Sequence, residues 1–334
     1  MSCVLGIDVG GTSIKAGLFT PDGKLVDVKK IPTGAIDDEK AFAEVCSGLN
    51  ALVVGGGYLP DDVKAVGLDI PGPVDDQGRV GMLPNIRLDP DGLKLAIKHE
   101  FANATLAFVN DANAAALGEL WQGSARDLSS FVMVTLGTGV GGGVVCGGRL
   151  VSGAFGAGGE IGHITVNKGE TRVCGCGRRG CLEQYASATG IVWLYQQACK
   201  ADGGEHPKPE HPTDTITVFD ACRDGDPCAE RAIEQMCDTL GYALAQISCV
   251  IDPAAYLIGG GVAGGFDLFA EKLAASFRSY CLSTSASARI LPCSLGNEAG
   301  MYGVAYAALE ESAKQAKQTA DKAERASRSR RLDC

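Results

Sequence analysis

These 334 residues contain no secretory leader, no Walker sequence, no tripeptide glycine period and no surplus of positive charge. Each absence removes a class of protein. No charged N-terminal region leads into an apolar stretch and cleavage site, so the 14 cysteines are expected to be reduced thiols of a cytoplasmic protein rather than a disulfide framework. Forty acidic against 30 basic side chains leave a net charge of −10, which gives no broad attraction for nucleic acid or a membrane surface. Glycine is plentiful, at 46 residues, but beside 46% hydrophobic residues and without a collagen period it marks tight turns and close backbone approach. At roughly 150 residues per domain, the length allows two domains with cores of their own. One uncharged run, residues 128–148, is long enough to span a membrane, yet seven glycines interrupt it, so it reads as two short buried strands around a turn.

Apolar runs at 4–8, 14–19 and 25–31, separated by glycine-containing turns, predict an antiparallel meander. Helical spacing follows over 37–54, strands over 63–70 and 106–109, and a helix over 112–121. A second cycle, 131–136 and 144–146 around residues 137–143, repeats the theme of strand, glycine-threonine turn and strand. Helices are predicted over 186–201, 227–250 and 267–281, with a strand over 255–259 and a last helix from about Asn297 past Ala308. Residues 202–215 are rich in proline and glycine, and His206 and His211 there read as parts of a solvated loop rather than metal ligands. Beyond Glu310 the composition is that of a solvent-exposed, fraying helix with a local charge of +3.

The spacing Gly137-x-Gly139-x-x-Gly142 imitates a dinucleotide fingerprint, but that motif must open a helix, and here a strand follows. Three glycine loops remain as phosphate cradles: Asp8-Val9-Gly10-Gly11-Thr12, the stretch containing Gly137, Thr138 and Gly139, and Gly259-Gly260-Gly261. Each follows an apolar strand and lets backbone N–H groups approach phosphate oxygens, with Thr12 and Thr138 adding hydroxyl donors. Asp8, at a strand end, would orient Mg²⁺ and its waters, or would be a plain turn residue. Asp111 precedes an alanine-rich helix, so its carboxylate suits a helix cap as well as it suits a general base. Cys174, Cys176 and Cys181 fall within eight residues, and Gly175, Gly177 and Gly180 let the backbone turn their thiolates inward. His163, eleven residues upstream, offers a fourth ligand for a closed tetrahedral site.

Six ordered motifs resemble the ROK family (repressors, open reading frames, kinases) over about residues 3–309: the Asp8 loop, Pro71-Gly72-Pro73-Val74-Asp75, Asn110-Asp111-Ala112-Asn113-Ala114, the Gly137 loop, Gly158-Gly159-Glu160-Ile161-Gly162-His163, and the Cys174–Glu183 knuckle. Cys181-Leu182-Glu183 followed by Ala186-Ser187-Ala188-Thr189-Gly190-Ile191-Val192 is most similar to bacterial glucokinases. The resemblance implies an α/β, two-domain, actin-like ATPase (ribonuclease H-like) fold with a central cleft. A small domain would comprise 1–110 with about 300–316, a large domain 111–299 with a zinc knuckle, and 317–334 a polar tail.

It further implies an ATP-dependent sugar kinase, with Asp111 as the base on the 6-hydroxyl of glucose and Asn85, Asn110, Glu160, His163 and Glu183 binding the sugar. Asp8, Gly10, Gly11, Thr12, Lys15, Gly137, Thr138, Gly139, Gly259, Gly260 and Gly261 would bind the nucleotide with Mg²⁺. Structural Zn²⁺ would sit on His163, Cys174, Cys176 and Cys181, and two copies would form a homodimer. Glucokinases usually carry an aromatic residue shortly after the loop asparagine, where this chain has Ile86-Arg87-Leu88. N-acetylmannosamine, N-acetylglucosamine, fructose or another hexose therefore stands as an alternative substrate, and polyphosphate as an additional donor. A sugar-sensing regulator of the same family is the competing class, although its helix-turn-helix would need residues ahead of the first strand.

Overall fold

The computed structural model describes residues 1–332 apart from 11–12, 33, 76–77, 82, 84–85 and 202–213, with side chains as far as residue 322. The chain divides into two units, Met1–Gln122 with Ser152–Gly156 and Glu298–Cys334, and Gly123–Val151 with Ala157–Asn297.

In the first unit, β1 (Cys3–Val9), β2 (Ser13–Phe19) and β3 (Leu25–Pro32) form the expected meander. Helix α1 (Glu39–Gly55) starts where Asp38 accepts the Ala41 N–H, and β4 (Val63–Ile70) returns beside β1 in parallel. Helix α2 (Pro90–Glu100) is an addition to the predicted elements. Its start is marked by Asp89 as cap and Pro90 in the first turn, while only Leu93 and Ile97 are buried, a stripe too thin to stand out in the pattern. Then come β5 (Thr105–Asn110), α3 (Asp111–Gln122) and, from the far end of the chain, α9 (Ala299–Leu332). The strand order is β3-β2-β1-β4-β5.

Helix α9 lies on the sheet itself. A Cβ at Gly6 of β1 or Gly67 of β4 would run into the Met301 and Val304 carbonyls, and one at Gly303 into the Ala114 carbonyl of α3. Glycine at these points lets backbone meet backbone, and Val4, Phe19, Ala65, Met301, Ala305 and Ala308 close the space between them. The boundary expected at residue 110 therefore falls after Gln122 instead, because α3 is packed on α9.

The second unit holds β6 (Phe131–Leu136), β7 (Val140–Cys146), β8 (Arg149–Leu150), α4 (Glu183–Ala186), α5 (Ala188–Ala201), α6 (Thr215–Arg223), α7 (Pro227–Ile251), β9 (Ala255–Gly259), α8 (Phe266–Tyr280) and β10 (Arg289–Pro292). The predicted helix over 186–201 starts at Ala188, since Ser187 turns its backbone out and accepts the Gly190 N–H on its hydroxyl. Strand order is β10-β9-β6-β7-β8, which read backwards repeats that of the first unit: an antiparallel meander whose first strand is extended by parallel neighbours. The uncharged run is β6, its turn and β7. Among the described residues no helix is long and apolar enough to cross a membrane.

Candidate active site

In both units the candidate groups gather at the carboxyl ends of the central strands, where a parallel pair leaves its backbone free to meet a ligand. In the first unit, Asp8 ends β1 opposite Lys15 of β2 and level with Asp69 of β4. Lys15 also reaches Glu298 at 3.5 Å. Burial pushes the Asp8 carboxyl up, against the pull of a hydrogen bond from Asp69 and the charge of Lys15. The Gly10 N–H closes the turn on Ser13 O at 3.1 Å; Gly11, Thr12 and the loop asparagine, Asn85, lie outside the described residues, as do His206 and His211.

Asp111 is the first residue of α3 but is not its principal cap. Asn110 Oδ1 accepts the N–H groups of Ala112 at 3.1 Å and Asn113 at 3.3 Å, while its Nδ2 donates to Gly72 O at 3.1 Å. Asn110 therefore caps the helix and ties it to the Pro71-Gly72-Pro73 turn. Asp111 takes the adjacent Ala112 N–H, at 2.8 Å, and a hydrogen bond from the Asn110 side chain. Its carboxylate is reachable by solvent yet surrounded by dense protein, and that surrounding, reinforced by the charge of Asp8, pushes its pKa up.

In the second unit, the Gly137-Thr138-Gly139 turn follows β6, and Gly259-Gly260-Gly261 follows β9, the strand paired in parallel with β6. The two turns are neighbours. Gly260 has φ +81°, and the positions a Cβ would take at Gly137 and Gly261 meet open space. Ala188 N–H and the Thr189 hydroxyl hold the first turn through Gly137 O and Thr138 O, at 2.8 and 3.5 Å.

His163, Cys174, Cys176 and Cys181 come together as expected, with all four ligand atoms within 4.8 Å of one another. Cys176 Sγ and Cys181 Sγ are 3.7 Å apart, close to the ~3.8 Å edge of a zinc–thiolate tetrahedron with bonds of about 2.3 Å. Burial pushes the Cys174 thiol up to about 12, so a trio of thiolates here needs a cation to offset its charge. His163 turns Nδ1 toward Cys174 at 3.9 Å and Nε2 toward Glu160 at 3.9 Å. Donor set and spacing fit zinc. Glu183 links this knuckle to the glycine turn: its Oε1 accepts the Cys174 thiol and its Oε2 the Val140 N–H.

Two charged residues escaped the sequence reading. Asp69, 3% exposed, interrupts the otherwise apolar end of β4, and Glu298 stands just ahead of α9 beside Lys15. An acid near the end of a buried strand was the available signal for the first.

The duplicated sheet and the paired glycine turns define an actin-like ATPase fold of the ribonuclease H-like type. A model of the ROK family matches residues 4–311, and the chain belongs to that family. It is 34% identical over 310 residues to a glucokinase of Halalkalibacterium halodurans, covering 90% of this chain and 92% of that one. Among solved structures, the ROK hexokinase of Thermus thermophilus superimposes with a TM-score of 0.79 at 33% identity, covering 92% of this chain and 98% of the other. A ROK family glucokinase of Streptomyces griseus, in complex with glucose and AMPPNP, gives 0.70 at 31% identity, covering 91% and 98%.

Proposed function

We propose that the chain is a sugar kinase that transfers the γ-phosphoryl group of ATP to the 6-hydroxyl of glucose. The observation that carries this reading is Asp111: a solvent-reachable carboxylate with a raised pKa at the head of α3, released from the main capping duty by Asn110. It accepts the O6 proton as O6 bonds to the γ-phosphorus, and the bond to the bridging oxygen breaks to leave ADP. Mg²⁺, when bound, neutralises phosphate charge, with Asp8 orienting its waters. The Gly10, Gly137–Gly139 and Gly259–Gly261 turns and Lys15, together with Gly11 and Thr12, hold the phosphates. Glu160, His163, Glu183, Asn85 and Asn110 pair with the sugar hydroxyls, each of which both donates and accepts.

His163, Cys174, Cys176 and Cys181 hold structural Zn²⁺, which fixes the imidazole so that its other nitrogen faces Glu160 and the sugar. The enzyme works in the cytoplasm as a homodimer. The similarity to glucokinases over nine-tenths of the chain supports glucose as the hexose. A coupled assay with ATP over glucose, fructose, N-acetylglucosamine and N-acetylmannosamine, repeated with polyphosphate as donor, tests the reading. Glucose is expected to give the highest kcat/KM; turnover with no sugar would replace the enzyme with a sugar-binding regulator. Size-exclusion chromatography with light scattering tests the dimer.

A further inference from the structure

The sequence motifs assign Asp69 nothing, yet the fold places it against Asp8. The two residues are level across the parallel pair of β1 and β4. Asp69 Oδ1 accepts the Val9 N–H at 2.9 Å, and its carboxyl is hydrogen-bonded to that of Asp8. Its Oδ2 lies where a Cβ on residue 300 would stand, so Gly300 in the first turn of α9 leaves this carboxyl room. Two carboxyl groups joined by a hydrogen bond must hold a proton between them, and the enclosed partner is the one that burial keeps neutral.

We propose that Asp69 is a positioning residue for the phosphoryl-transfer centre: it holds the Val9 amide with one oxygen and donates to Asp8 with the other, fixing the direction in which Asp8 faces the magnesium-bound nucleotide. The proposal rests on the sugar-kinase reading for its consequence and on the geometry of β1 and β4 for its cause. Asp69 acts through Asp8 and touches neither sugar nor phosphate.

The discriminating change is Asp69→Asn. The amide repeats the arrangement, with its oxygen accepting from Val9 and its NH₂ donating to Asp8, whereas Asp69→Leu removes both bonds. With ATP and glucose, D69N is expected to stay within about threefold of the parent in kcat and in KM for Mg·ATP. D69L is expected to lose about 10–100-fold in kcat/KM for Mg·ATP, the range typical of residues that orient a metal site from behind. Its KM for glucose should change less than about twofold, a split that a general loss of fold would not produce. Calorimetric titration with Mg·ADP supplies a readout independent of turnover: D69N should bind as the parent does and D69L about tenfold more weakly. The proposal is overturned if a folded D69N, judged by its thermal transition, loses as much as D69L, or if D69L keeps parental values. Should D69L fail to fold, Asp69→Ala, which also removes both bonds, takes its place in the same comparison. If the parent turns over no hexose while the Mg·ADP pattern holds, the sugar-kinase reading fails and the role of Asp69 stands.

Discussion

The Cys174 thiol donates to Glu183 Oε1 at 3.3 Å, and the other oxygen of that carboxylate accepts the Val140 N–H at 3.2 Å. The cysteine knuckle and the glycine turn after β6 thus share one side chain. Protein purified without chelator is expected to carry about one zinc per chain, by metal analysis, as a closed four-ligand site requires. Stripping the metal, or Cys181→Ser, should lower the melting temperature and raise KM for glucose about tenfold or more, because His163 loses the support that aims it.

Asp111→Asn isolates the proton acceptor from the helix cap. Asparagine caps about as well as aspartate, and Asn110 already carries most of that duty. The variant is expected to melt within about 2 °C of the parent and to lose about 10²–10⁴-fold in kcat. Near-parental turnover would remove Asp111 from the chemistry.

Burial and the charge of Asp8 both raise the Asp111 pKa. A base works in its ionised form, so activity should rise with pH through this raised value. The acid limb of kcat/KM, measured with saturating Mg·ATP, is expected to lie above the ordinary aspartate range near 4.

Glu170 behaves in the opposite sense. Its hydrogen bonds from Arg172 hold its carboxyl down at about 2, from an ordinary 4.5. The folded state then binds fewer protons than the unfolded one between those values, so the pair's stabilisation is full above about pH 4.5 and disappears as pH falls toward 2. Arg172 also stacks on Trp193, 3.3 Å from the ring centroid. Glu170→Gln is expected to cost about 2 kcal/mol at neutral pH. Denaturant melts at falling pH should show the gap closing through that same window.

Gly303→Ala would drive a methyl group into the Ala114 carbonyl. Separating α3 from α9 to admit it should cost about 1–3 kcal/mol. Since α3 carries Asp111, kcat should fall with stability, which thermal melts and steady-state rates on the same sample will show.

The meander of β1–β3 and the uncharged β6–β7 hairpin were legible in the sequence because β1, β2, β6 and β7 are mostly buried and glycine marks every turn. The cysteine knuckle was legible because its ligands are close in sequence. Helices α2 and α6 were not, since short elements with few buried residues leave only their caps, Asp89 and Asp214, as signals. The capping duty of Asn110 depends on the backbone directions of its neighbours, which residue type does not encode. Asp69 was hidden for a related reason: its meaning comes from β4 lying beside β1, a pairing of residues some sixty positions apart.

Placing α9 on β1 and β4 also sets an order for the chain's synthesis. The apolar face around Val4, Phe19 and Ala65 leaves the ribosome early; Trp121 of α3 reaches Phe19, but Met301, Ala305 and Ala308 cover the face only when α9 is made. The second unit, Gly123–Val151 with Ala157–Asn297, has all its own residues before then. The part translated first is thus the part completed last, and the nascent first sheet must stay soluble with part of that face bare until helix α9 arrives.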